Sequence, residues 1–141
     1  MTKFVYEDEI PTTPERLWAA LTQGEITRRY WFDRRIESDW KIGSPVRFHD
    51  GDSDTVTDTG EVLEYEEPRR LAYSFRQTSG DGHTTRVAFD LEPAEKGVRL
   101  ILHHDQLARP QDVEGWRQGW APILTNLHDL LAAEGQDPLR T

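Results

Sequence analysis

The chain has no cysteine and a single methionine in 141 residues. Disulfides, thiolate nucleophiles and cysteine-ligated zinc are therefore outside its chemistry. Long apolar runs are missing as well. None approaches the ~20 residues needed to cross a bilayer, and the opening MTKFVYEDE lacks the apolar centre of a secretory signal. A cytoplasmic location is the expectation. Basic charge is in deficit: 17 lysines and arginines stand against 26 acidic residues, for a net charge of −9. Nucleic acid and anionic membranes would both be approached against Coulomb repulsion, so neither is an expected partner. Internal repeats, low-complexity tracts and linkers are absent too, and one domain over residues 1–141 is expected.

What is present is aromatic. Hydrophobic residues make up only 35% of the chain, but five Trp, four Tyr and five Phe can carry much core area in few positions. The longest single pattern is residues 111–134, QDVEGWRQGWAPILTNLHDLLAAE. Val113, Trp116, Trp120, Ile123, Leu124, Leu127, Leu130 and Leu131 recur there at steps of three and four, the period of one helical face. Such a helix is about 30 Å long and needs a broad apolar surface to lie on. Pro122 removes one of its backbone hydrogen bonds, a penalty of ~3 kcal/mol, and Gly115 and Gly119 cost up to ~1 kcal/mol each. The pattern predicts a kink near Gly119, or a helix that begins there, with a looser first half able to gate a cavity.

The rest of the chain reads as the surface beneath that helix. Residues 3–10 alternate as a strand, with Asp8 on the otherwise apolar side, at a cavity or a bulge. Thr13 caps a short helix that opens with Pro14 and Glu15, buries Leu17, Trp18 and Leu21, and ends at Gly24. Residues 25–31 form a second short helix. Strands follow at 35–40, 44–50, 55–65, 70–77, 84–92 and 98–104, separated by short turns. In the third of these, Val62 is on one face and Leu63 and Tyr65 are on the other. Ser79-Gly80-Asp81-Gly82 marks a hairpin, and 93–97 is a turn. Segregated strands and helices give an α+β fold with an antiparallel meander.

This order resembles the START-like (SRPBCC, helix-grip) superfamily. Within it, the chain resembles the AHSA-like family, named after the activator of the 90-kDa heat-shock protein ATPase. The residues carrying the likeness are Ile10-Pro11, the run from Pro14 to Thr22 (PERLWAALT), and Tyr30-Trp31-Phe32. Gly60-Glu61-Val62, Glu67-Pro68, Arg70-Leu71, Gly119-Trp120, Leu124 and Leu127 extend it over nearly the whole chain. The resemblance implies a curved antiparallel sheet of about 6–7 strands around a long C-terminal helix. Members of this family bind apolar ligands, act as cyclases or assist chaperones, so fold alone does not choose among these.

The loop Asp50-Gly51-Asp52-Ser53-Asp54, with Asp58 and Glu61 beyond it, imitates a calcium loop, but Thr55 stands where the sharp turn needs Gly. A solvated hairpin is the better reading. His103 and His104 are strand neighbours pointing to opposite faces, so they cannot share one metal ion. One of them faces the cavity as a ligand contact or an acid–base group, or is simply satisfied by its neighbours. No G-x-S-x-G elbow and no glycine-rich phosphate loop occur, and no cofactor or metal is expected. Arg76, Arg86 and Tyr73 are candidate polar members of a pocket. The leading expectation is a non-enzymatic domain that binds a small hydrophobic molecule through Trp31, Phe48, Tyr73, Phe75, Phe89, His104, Trp116 and Trp120. A chaperone-binding module and a cyclase- or hydrolase-like enzyme are the rivals, and an edge strand is compatible with a homodimer.

Overall fold

The structure is a computed structural model that describes residues 3–78 and 83–136. Its elements are β1 (Lys3–Ile10), α1 (Pro14–Thr22), α2 (Gly24–Tyr30), β2 (Arg34–Ser38), β3 (Pro45–Asp50), β4 (Val56–Glu66), β5 (Arg70–Gln77), β6 (Thr85–Ala94), β7 (Gly97–Asp105) and α3 (Asp112–Gln136). The strands form one antiparallel sheet in the order β1-β7-β6-β5-β4-β3-β2. β2 to β7 are thus a meander, and β1 joins at its far end. α1 and α2 carry the chain from one edge to the other. This is an α+β helix-grip fold, as the residue order predicted. The Ser79–Gly82 turn lies outside the described residues.

Local chemistry sets the helix ends. Thr13 Oγ1 accepts from the Arg16 N–H at 3.2 Å, and Pro14 occupies the first turn, where its missing N–H has no cost. Gly24 was expected to end α1, but it opens α2. A Cβ there would stand 2.5 Å from the Ile36 carbonyl oxygen, so glycine is what lets α2 lie against β2.

One sheet face is apolar and carries α3. Leu71, Tyr73, Phe75, Val87, Phe89, Leu91, Val98, Leu100 and Leu102 are buried there, against Trp120, Ile123, Leu124, Leu127 and Leu131 of the helix. The other face is charged. Arg70 bonds both oxygens of Glu64 at 3.1 Å and reaches Asp90, Arg86 reaches Glu64, and His103 reaches Asp90 at 3.2 Å. Each such pair contributes little alone, but together they keep this face wet.

Several expectations need correction. Leu63 and Tyr65 do not share a face. Val62 pairs with Tyr73 and Glu64 with Ala72, so Leu63 is the extra residue of a bulge and stays exposed. The bulge returns Tyr65 to the inner side, where its ring lies 5.2 Å from that of Trp18. Asp8 is not at a bulge: β1 pairs in unbroken register with β7, and Asp8 binds His128 of α3 at 2.8 Å. β6 runs on through Pro93, which pairs with Val98. Nor does the long helix begin at Gly119: α3 starts at Asp112 and contains Pro122. Both Pro122 and Gln118, whose carbonyl loses its helical donor, are on the exposed side, where water can replace the missing bond.

Candidate functional site

Two adjoining cavities open beside the first half of α3. The smaller, about 180 Å³, has aromatic walls from Trp31, Phe32, Phe75, Trp116 and Trp120. Its polar groups are Arg34, Asp58 and Gln77, and α3 adds Gly119 and Ile123. The larger, about 460 Å³, is more polar and is bounded by His83, Thr85, Arg109, Gln111 and Asp112 with Gly115 of the helix. Gln77, Trp116 and Gly119 line both, so Trp116 is the partition. Beyond the helix's own nearby backbone and the adjacent residues, no atom of the described residues lies within 4 Å of where a Cβ on Gly115 or Gly119 would stand. Packing therefore does not demand glycine at these positions, although each weakens the helix.

A buried hydrogen-bonded chain runs behind the cavities. Trp120 Nε1 donates to His104 Nδ1 at 2.9 Å. Indole nitrogen is only a donor, so Nδ1 carries no proton and the hydrogen is on Nε2. Nε2 then donates to Thr85 Oγ1 at 2.7 Å, and that hydroxyl donates to the Phe75 carbonyl at 3.1 Å. His104 is fully buried, 4.2 Å from the Trp116 ring, and burial pushes its pKa down to about 3. The imidazole is neutral and both nitrogens are engaged. It locks α3 to β6 and β5 and offers no free base.

Asp58 behaves differently. It lies on β4 opposite Phe48 and Gln77, and is only 4% exposed. Thr57 Oγ1 donates to its Oδ2 at 2.7 Å, and Arg34 Nε is 3.4 Å from the same oxygen. Burial raises its pKa, partly offset by the Thr57 bond and the Arg34 charge. At the rim, Phe32 and Asp33 both adopt positive φ, at 49° and 60°, and Phe32 is 58% exposed. Arg28 Nε holds the Asp33 carboxylate at 2.9 Å, which pins this costly pair in place.

The expected site residues divide into two sets. Trp31, Phe75, Trp116 and Trp120 line the smaller cavity, while Phe48, Tyr73, Phe89 and His104 are buried behind it and line neither. The two sets are in ring contact: Phe48 lies 5.0 Å from Trp31 and Phe89 lies 6.2 Å from Trp120. Of the three polar candidates, Arg76 is exposed and Arg86 faces Glu64 on the charged side. The Tyr73 hydroxyl is buried with no hydrogen-bond partner among the described residues, but Tyr73 does not line the cavity. In the acidic loop, Asp52 is bound by Arg28 at 2.7 Å. Sequence reasoning placed Asp58 only in the acidic loop and missed Arg34, Gln77 and Thr85. A signal existed for Asp58, which is two strand periods from the buried Val62 and so on its face.

A family model described as "Activator of Hsp90 ATPase homolog 1-like protein" matches residues 11–132. The chain belongs to this family. No curated protein matches it. Among solved structures, a Mesorhizobium loti protein is 26% identical with a TM-score of 0.79, over 96% of this chain and 98% of that one. A structure described as the Aha1 dimer from Colwellia psychrerythraea is 19% identical, TM-score 0.77, over 97% and 100% of the two chains. An HSP90 activator from Plasmodium falciparum is 20% identical, TM-score 0.74, over 93% and 96%. These likenesses concern the helix-grip fold that this AHSA1-like chain shares. Among the described residues, no helix is long and apolar enough to cross a membrane.

Proposed function

We propose that this AHSA1-like protein binds a small apolar or amphipathic molecule in the paired cavities under the first half of α3. The observation that carries the reading is an aromatic-walled space that no side chain of the described residues fills, bordered by a helix glycine, Gly119, that packing does not require. Trp31, Phe75, Trp116 and Trp120 make the contact, and Phe48, Tyr73, Phe89 and His104 support them from behind. Apolar walls with a few convergent polar groups are the usual anatomy of a ligand site. The test is titration of the purified chain with N-phenyl-1-naphthylamine, with native mass spectrometry to identify any co-purified molecule. Fluorescence should rise with the wild type and fail to rise with Gly119→Leu, whose side chain fills the smaller cavity. A folded wild type that leaves the dye dark would overturn the reading.

A second reading, a chaperone-associated interaction module, is favoured by the family's description and by the exposed Phe32 ring. It predicts that Phe32→Ala weakens capture by a 90-kDa heat-shock chaperone while dye binding persists. An enzymatic role finds less support, because His104 has no free nitrogen and Asp58 would have to act alone. The cytoplasmic location and a homodimer through the edge strands β1 or β2 belong to the same proposal.

A further inference from the structure

We propose that Asp58 sets the specificity of the smaller cavity by accepting a hydrogen bond from an uncharged aromatic ligand that carries an N–H or O–H donor. This rests on the binding reading above and narrows it.

Asp58 is the carboxylate in the wall of a largely aromatic chamber whose other polar members are Arg34 and Gln77. Both of its contacts, the Thr57 hydroxyl and Arg34, fall on Oδ2. Oδ1 has no hydrogen-bond partner among the described residues. Oδ1 is not one of the fully buried unpaired atoms, so it meets the cavity, where a ligand donor can take the place of water. Charge selects the kind of donor. Arg34 compensates Asp58 across 3.4 Å. A cationic ligand would therefore meet the guanidinium and an anionic one the carboxylate. A neutral donor meets neither penalty and gains a charge-assisted bond. The walls select the body that carries it. Trp31, Phe75, Trp116 and Trp120 favour a flat ring, and bare backbone at Gly119 leaves room for one to lie against the helix. The burial that raises the Asp58 carboxyl agrees with this, since a donor to the ionised form lowers it again.

Calorimetric titration of the full chain with 2-naphthol and with 2-fluoronaphthalene, near-isosteric but lacking the donor, tests the assignment. The wild type should prefer 2-naphthol by about tenfold, the worth of one charge-assisted hydrogen bond. Asp58→Leu should bring the ratio to about one while keeping affinity for 2-fluoronaphthalene. Asp58→Asn, which keeps shape and a neutral acceptor, should retain a reduced preference of about threefold and carries the test if the leucine variant fails to fold. Equal wild-type affinities, or a preference unchanged in both variants, would overturn the role of Asp58 and leave the cavity reading standing. Binding of neither probe would overturn both.

Discussion

The two halves of α3 belong to one unbroken helix and have opposite duties. Residues 120–131 bury Trp120, Ile123, Leu124, Leu127 and Leu131, each at most 7% exposed. That half is also clamped. Glu134 binds Arg16 at 2.6 Å, His128 binds Asp8 at 2.8 Å, and Asn126 Nδ2 donates to the Tyr30 carbonyl at 3.5 Å. Residues 112–119 offer only Val113 and Trp116 to the core, both half-buried, and Gly115 and Gly119 face open volume. Its ties are superficial: Asp112 to the neighbouring Arg109, and the Arg117 guanidinium 5.7 Å above the Phe4 ring. The difference teaches that a helix can close a core with one end and hold a space open with the other. Local stability need not be uniform along a continuous element.

That contrast can be attacked at the junction first. His104, which holds Trp120, has a pKa of about 3 in the folded protein against an ordinary 6.5. Between those values the unfolded chain binds the extra proton, so stability falls as pH drops through the window, by at most roughly 4–5 kcal/mol. The raised carboxyl of Asp58 acts in the opposite sense and reduces the net slope. Denaturant melts from pH 7 to pH 3 should show the wild type losing stability faster than His104→Phe; parallel profiles would remove His104 as the junction. Next in size, Leu127→Ala should cost about 2–5 kcal/mol in urea unfolding and leave dye binding intact. Trp116→Ala should do the reverse, costing about 1 kcal/mol while losing the dye, because its ring is only half-buried. Below Leu127→Ala in its cost to stability, Trp120→Phe keeps a ring but strips His104 Nδ1 of its donor, for about 1–3 kcal/mol. Gly119→Ala is the smallest and has the opposite sign: a gain of up to ~1 kcal/mol in stability with weaker dye binding. Amide exchange faster over residues 112–119 than over 120–131 would show the same division without mutation, and equal protection would dissolve it.

Much of the fold was legible because it rests on short-range chemistry. The alternation of Lys3–Ile10, the Thr13-Pro14-Glu15 helix start and the three–four spacing in α3 each name their element without knowing the partner. Leu63 was misread because a bulge is a property of pairing: only the mismatch between β4 and β5 shows which residue is extra. Asp8 was unreadable for a related reason, since its partner His128 lies 120 positions away. The site was half legible. Aromatic residues announce an apolar wall, but whether a ring faces the cavity or sits behind it depends on depth, which alternation does not encode. Trp31 and Phe48 touch, yet only Trp31 lines the chamber. Asp58 drew attention as part of an acidic loop, and its place opposite Phe48 emerged only from the β3–β4 register.

The buried chain from the Trp120 indole through His104 and Thr85 to the Phe75 carbonyl has a consequence for how occupancy can be observed. The two residues that flank His104 in it border different chambers: Trp120 the smaller, Thr85 the larger. A guest in either one pulls on the same line of protons from opposite directions. The Trp120 indole Nε1–H, bonded to imidazole nitrogen, should resonate apart from the other indoles, and the His104 ring nitrogens should report in concert. One nitrogen-15 spectrum of the unmodified protein would then distinguish a filled front room from a filled back room.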